Sequence, residues 1–594
     1  MSHYIEDRKQ PWGAVVVVIA ILIFGGIIIA WFLGVFCPAS GANCSSPSGT
    51  VAPPPTSSQD PSRVEIYLYS ALTKQDWIDT VTNNFNAAQV KVASGKPIFV
   101  RVKHGTSGGS QQEILNGKEQ PTAWSPGEQT WVDEANQTWT NRTGRPLVSE
   151  ACRPTVYAPI GFGMWRPMAE AMGWPDKPIS WDDIIALAAD PQGWARYGHS
   201  EWRQFRFGHP HAVYSNVGLL MIAELAHSTL DSTGDLTPEQ VKSSQVVEAV
   251  RHLELHTYHY GIQSRNLLDL TARRGPSYLH AVMTLEPEVL KANQEHAAIL
   301  PFPFAFVFPA EGTFWTEQPY CVLDTDWVSD EQREAARLYG DYLLAPEQQA
   351  LAIDNYVRPL DQTLPLHSPI SLENGTDPRV TLKTVAPLPS PSGATAGAIK
   401  DVFIQTKKKA TVIIVLDTSG SMQGEKMKNA AAATINFLKR LEKEDWVAVV
   451  PFNNQPAELQ PAGRAADVVE DLSNKVGTLF PEGGTALYDA VCQAVERVSA
   501  LRAADEAAGD KRLYGIVVLS DGQDTASQKT KNDMLNLCLP SGEDVEGVKV
   551  FTIAYGEDAD KNLMTEVANH TNGKTFVGDP ETIERVYNAI SAEQ

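Results

Sequence analysis

The chain has 594 residues, more than one hydrophobic core organises, so two or three domains are expected. Its make-up, 43% hydrophobic and 20% charged, is ordinary for folded protein. A formal net charge of −22 argues against a nucleic-acid surface, which needs a basic face, and an acidic balance otherwise mainly confers solubility.

From Trp12 to Phe36 the sequence reads WGAVVVVIAILIFGGIIIAWFLGVF, with no charge in it. As a helix this run spans roughly 37 Å, at about 1.5 Å per residue, against a bilayer core of about 30 Å. It is about twice the length of a signal-peptide apolar region, which favours an uncleaved anchor over a cleaved signal. Arg8 and Lys9 precede the run, and no Lys or Arg follows until Arg63. The expected topology is a cytoplasmic N-terminus over 1–11, one transmembrane anchor over 12–36 and an extracytoplasmic remainder. Residues 37–62, rich in Pro, Ser and Gly, read as a disordered stalk. Six cysteines suit an oxidising compartment. They fall two to a region, as Cys37 and Cys44, Cys152 and Cys321, Cys492 and Cys538. Their spacing is not that of a zinc site, and it leaves connectivity open.

The region 63–360 opens with a strand, VEIYLYS, and a helix whose start carries Thr73 and Asp76 in a capping-box-like pair. The next strand, IFVRVKHG, ends in TSGGS before a helix. Serines and glycines at a helix start offer backbone N–H and hydroxyl donors to an anion or polar group. The stretch from Asn116 to Asn141, rich in Trp and Thr, reads as an irregular insertion. The motifs YSALTKQDW, VKHGTSGGSQ, ACRPTVYAPIGFGMW, FGHPHAVYSNVGLLMI and EGTFWTEQPYCVL follow in order, then a late helical segment and YVRP. In these the region resembles bacterial extracellular solute-binding proteins of the type 2 periplasmic-binding kind, whose two lobes close on a ligand. The resemblance implies that Ser70, Ser107, Ser215, Asn216 and Tyr320 line the cleft, with Thr106, Gly108 and Tyr157 as weaker candidates. Hydroxyl and backbone donors suit an oxyanion or a neutral polar solute. His209 and His211 form a His-x-His pair without an evident third ligand, a weak metal signal. Residues 361–400, centred on PLPSPSGATAGA, read as a second linker.

Over 401–594 strands alternate with helices: ATVIIVL, EKMKNAAAATINFLKRL, DWVAVVPF, TALYDAVCQAVERVSALR, LYGIVVLS, VKVFTIAYG and LMTEVANHT. This order predicts an α/β domain with a mostly parallel, doubly wound sheet, whose ligands sit beyond the carboxyl ends of the strands. At those ends lie Asp417, Ser419 and Ser421 after the first strand, and Asp521 after GIVVLS. Thr485 stands on a glycine-rich loop between them. Two carboxylates and three hydroxyls suit a hard divalent ion, Mg2+ first, with Mn2+ or Ca2+ as alternatives. Asp524 reads as a neighbouring supporting or surface carboxylate, and His570 as a surface residue. The five residues resemble the von Willebrand factor A domain, whose metal-ion-dependent adhesion site has the pattern D-x-S-x-S, then Thr, then Asp. That resemblance implies a metal ion whose shell a partner protein's acidic side chain completes.

No nucleotide fingerprint G-x-G-x-x-G follows the first strand. No evident nucleophile–base pair argues for an enzyme. The expectation is a single-pass membrane protein whose bilobed domain captures a small solute, with a transporter as a further partner. Its last domain then binds a protein. The alternative is an adhesion, assembly or sensor protein in which the bilobed domain is a scaffold.

Overall fold

The computed structural model describes residues 62–540, 547–571 and 573–579. The expected anchor and stalk, with Cys37 and Cys44, lie outside the described residues. Among the described residues no helix is long and apolar enough to cross a membrane.

The solute-binding-like region forms two lobes. The first holds a four-stranded sheet in the order Cys321–Val322, Ala123–Ser125, Val64–Ala71, Ile98–Gly105. All its pairings are parallel except that of Cys321–Val322. Val64–Ala71 is central because nearly every residue is apolar and buried, as a strand covered on both faces requires. Helix Gln75–Ala88 seals one face with Trp77, Ile78, Val81 and Phe85. The second lobe holds five strands in the order Thr257–Gly261, Phe207–Pro210, Ala281–Leu285, Ile160–Trp165, Phe304–Val307.

The chain crosses between lobes where Val156–Tyr157 pairs antiparallel with Arg358–Pro359. Arg358 anchors this crossing to the second lobe. Its Nε and Nη2 each donate to Glu286 at 2.7 Å, and the two side chains are 1% and 0% exposed. The rings of Phe308 and Trp315 flank the guanidinium. A disulfide joins Cys152 to Cys321 nearby, and a second joins Cys492 to Cys538 in the last domain.

Three local expectations change. Asn116 to Asn141 is not irregular: it supplies strand Ala123–Ser125 and most of helix Gln129–Thr143. Thr and Asn are weak helix formers that obscure the pattern, and burial of Trp131, Val132 and Ala135 outweighs them. Thr73 and Asp76 form no capping box; the helix start carries no side-chain cap, and Asp76 reaches Lys291 instead. The linker reading of 361–400 also fails, because its boundary falls inside helix Gly393–Thr406. Ser392 caps that helix, its Oγ accepting from Thr395 N at 3.2 Å. Ile399, Val402 and Phe403 then enter the core of the second lobe. The same segment reaches the first lobe, where Lys400 Nζ lies 2.7 Å from Glu134 and Thr130 Oγ1 donates to Pro391 O at 2.7 Å. Small residues let the helix approach closely, and they also made the stretch look like a linker.

The last domain is a six-stranded sheet in the order Gly463–Arg464, Trp446–Phe452, Lys409–Asp417, Arg512–Ser520, Lys549–Tyr555, Thr575–Gly578. Only Gly463–Arg464 runs antiparallel. Along Lys409–Asp417, Ile413 and Val415 face one core while Val412, Ile414 and Leu416 face the other. Helices therefore cover both faces, and the run is continuously apolar.

The amino ends of these strands rest on the second lobe. Lys408 Nζ donates to Thr257 O at 2.7 Å, and Arg274 Nη2 to Gly573 O at 2.6 Å. Lys549 Nζ meets Tyr258 O at 3.3 Å and the buried ring of His259. The carboxyl ends consequently point away from the junction. The nine residues of Lys409–Asp417 separate the two ends by roughly 27 Å at about 3.3 Å per residue.

Candidate metal site and solute cleft

At that far edge the central strand ends on Asp417, fully buried, with Ser419 1% exposed and Ser421 exposed. Asp417 Oδ1 accepts from Ser419 N at 2.8 Å, and Oδ2 accepts from Ser520 Oγ at 2.5 Å. Ser419 Oγ and Ser421 Oγ are 3.0 Å apart, and Ser421 Oγ donates to Asp521 Oδ1 at 2.7 Å. Thr485 arrives from the glycine-rich loop, which Gly420 N pins by donating to Gly483 O at 3.0 Å. A Cβ on Gly522 would lie 3.7 Å from Ser421 Oγ and 3.9 Å from Thr485 Oγ1, so the missing side chain leaves the mouth open where the hydroxyls converge. The structure thus brings Asp417, Ser419, Ser421, Thr485 and Asp521 together from three loops.

Two carboxylates buried side by side repel one another. Burial raises the Asp417 carboxyl above its usual range, and the nearby Asp521 charge adds to this, against hydrogen bonds from Ser520 and Ser419 that lower it. The all-oxygen donor set, buried at its base and exposed at Ser421, fits a hard divalent cation with solvent or a partner oxygen on its open side. Asp524 does not face the ion position. It caps helix Leu487–Ala508, accepting from Tyr488 N at 3.1 Å. His570 ends the helix Lys561–His570, away from these loops.

Between the lobes lies a cavity of about 260 Å³, lined among others by Thr106, Ser107, Ser215, Asn216, Ser264 and Lys291. Helices starting at Ser107, Asn216, Ser264 and Glu286 direct their N-termini at it. Ser107 Oγ accepts from Gly127 N at 2.9 Å. The lobes meet across the cleft through Trp131 Nε1, donating to Asn216 Oδ1 at 2.7 Å, and Lys291 Nζ, 2.6 Å from Asp76.

Not every expected residue reaches the cavity. Ser70 lies behind it, buried, its hydroxyl turned to Ala71 O. Tyr320 is core: its hydroxyl donates to Ala336 O at 2.9 Å and its ring packs against Tyr339. Tyr157 packs on Trp315 at the crossing, and Gly108 abuts Trp131. His209 and His211 are buried in the second lobe; His209 Nε2 lies 3.4 Å from Glu254, and His211 stacks edge-on to Phe403. Among the described residues no group of three or more His, Cys, Asp or Glu is placed to hold a metal.

Sequence reading missed Gln263, Ser264, Arg265, Glu288 and Lys291. The first three follow strand Thr257–Gly261 as a polar turn before a helix, the same signal that marked Ser107. Arg265 is paired with Asp269 and Glu295. Burial pushes the Glu288 carboxyl up, against hydrogen bonds from Ser264 and Thr284.

The molecule is therefore a two-lobed binding domain followed by a doubly wound domain with an oxygen-lined site. Family models match both parts: bacterial extracellular solute-binding protein over residues 66–356, and von Willebrand factor type A domain over 411–588. The chain joins an extracytoplasmic solute-binding domain to a von Willebrand factor A domain, and both families are binding domains. Inter-alpha-trypsin inhibitor heavy chain H4 of Sus scrofa is 25% identical over 163 residues, 27% of this chain and 17% of that protein. The chain spans about a fifth of the length of the first curated relatives it matches. Among solved structures, the sulfate-binding protein SubI from Mycobacterium tuberculosis H37Rv is 15% identical with a TM-score of 0.36, covering 50% of this chain and 88% of that one. The periplasmic binding protein AfuA from Actinobacillus pleuropneumoniae is 12% identical with a TM-score of 0.40, covering 58% and 98%.

Proposed function

We propose that this is a membrane-anchored extracytoplasmic binding protein that grips a partner protein through a divalent cation, Mg2+ first, and holds a small polar solute between its lobes. The carrying observation is the chain of contacts Asp417–Ser419–Ser421–Asp521, with Thr485 beside it, at the edge of the domain turned away from the lobes. A cation bound there supplies a Lewis-acidic position for a partner's carboxylate. Asp417 and Asp521 formally balance a divalent ion and the three hydroxyls add no charge, so a partner's carboxylate would be drawn by the ion's open coordination position. The anchor reading rests on the apolar run 12–36. For the cleft, converging helix N-termini and hydroxyls support a solute with an oxyanion or several hydroxyl groups. Delivery to a transporter in the same membrane accords with this reading.

A second reading is favoured by the closed contacts across the cleft. Lys291 and Arg265 already have carboxylate partners, and Trp131 bonds Asn216. A cleft tied in this way serves as a scaffold for assembly or sensing. Native mass spectrometry of the detergent-solubilised full chain in Mg2+ separates the two. One metal and a small molecule support capture; metal alone favours the scaffold; no metal in excess Mg2+ sinks the cation reading.

A further inference from the structure

Resting on that cation reading, we infer that Lys426 is a built-in counter-ion which competes with the metal and sets how tightly it is held. Lys426 Nζ lies 2.7 Å from Asp521 Oδ2, and the Asp521 side chain is 0% exposed. The other oxygen of the same carboxylate takes the Ser421 hydroxyl. Any cation that draws on Asp521 therefore shares it with an ammonium group.

Lys426 occupies the first turn of helix Glu425–Leu438. The helix dipole disfavours a cation there, so helix chemistry does not explain the residue. Its side chain is also held in place. The stem crosses Gly556, where an added Cβ would lie 3.5 Å from Lys426 Cε, and Gly556 has φ +84°. Tyr555 Oη donates to Lys426 O at 3.1 Å, fixing the backbone below. A strand end, a glycine and a tyrosine thus aim one ammonium at one metal-site carboxylate.

Two consequences follow from charge. Without metal, Lys426 offsets a buried carboxylate that would otherwise stand beside Asp417 with no cation. With metal, the ammonium repels the incoming ion and halves the net negative charge of the two carboxylates. The site becomes a graded sensor of divalent concentration rather than a permanently filled one.

The test uses the full chain in detergent as wild type, Lys426→Met, Lys426→Gln and Lys426→Arg. Mg2+ titration calorimetry and thermal melting in EDTA are measured on each. The neutral variants are expected to bind Mg2+ at least about tenfold more tightly, roughly 1.4 kcal/mol. They should also melt at lower temperature in EDTA and regain stability in Mg2+, while Lys426→Arg stays near wild type. Unchanged or weaker Mg2+ binding by a folded neutral variant, with wild type binding normally, overturns the inference and leaves the metal site standing. Failure of wild type to bind Mg2+, Mn2+ or Ca2+ overturns the site and this inference together.

Discussion

Replacing Phe403 by Ala tests whether helix Gly393–Thr406 is part of the second lobe or a tether. Phe403 is 0% exposed. Its ring meets His211 edge-on at 4.6 Å between centroids, with Tyr260 at 6.0 Å and His209 at 6.2 Å. Tyr260 also accepts from Lys408 N at 3.2 Å, and its strand, Thr257–Gly261, receives Lys408 Nζ at the junction to the last domain. Removing a fully buried phenyl ring costs about 3–5 kcal/mol, because transfer and cavity terms add. For a domain of this size that lowers the melting transition by roughly 10 °C. Scanning calorimetry of the full chain reads this directly, and the lobe carrying Ile160–Trp165 should lose the stability. A transition within about 1 °C of wild type would refute the reasoning, since a tether's side chains contribute little to the fold they connect.

Asp417→Asn removes one of two buried neighbouring charges. It should raise the melting temperature in EDTA and abolish the further rise that Mg2+ gives, as seen by melting with and without metal. Glu286→Gln leaves Arg358 buried without its bidentate carboxylate; a loss of about 3–5 kcal/mol is expected in chemical denaturation. Burial pushes the Glu128 carboxyl up to about 7. The folded state therefore keeps a proton that the unfolded chain releases. Its contribution is fully present below the ordinary carboxylate range and is lost as pH rises through about 7, up to about 3 kcal/mol in all. Glu128→Gln should flatten that slope and melt higher than wild type at pH 8.

The candidate metal site was the most legible part of the chain. Each of its loops follows a branched apolar strand, and parallel sheets put such loop ends on one edge whatever the helices between them. Asp417, Ser419, Ser421, Thr485 and Asp521 could be named from spacing alone. Lys426 could not, because five residues past Ser421 it reads as one more charge on an amphipathic helix. Only packing over Gly556 shows where its ammonium goes. The cleft was legible where polar side chains sit at a helix start, as at Ser107, Ser215 and Asn216. It was not legible at Tyr320, whose identity says nothing about whether the fold turns it to the cleft or to the core.

The sequence by itself determined two α/β units and the strand ends that carry oxygen donors. These are local properties, written in periodicity and in the residue types that turns require. Tertiary structure alone decided that residues 393–406 are core rather than linker, that Asp76 answers Lys291 across a cleft, and that Arg358 closes on Glu286. Each depends on which surfaces meet at long separation along the chain. Burial and pairing energies act at those meetings, and no local pattern records them.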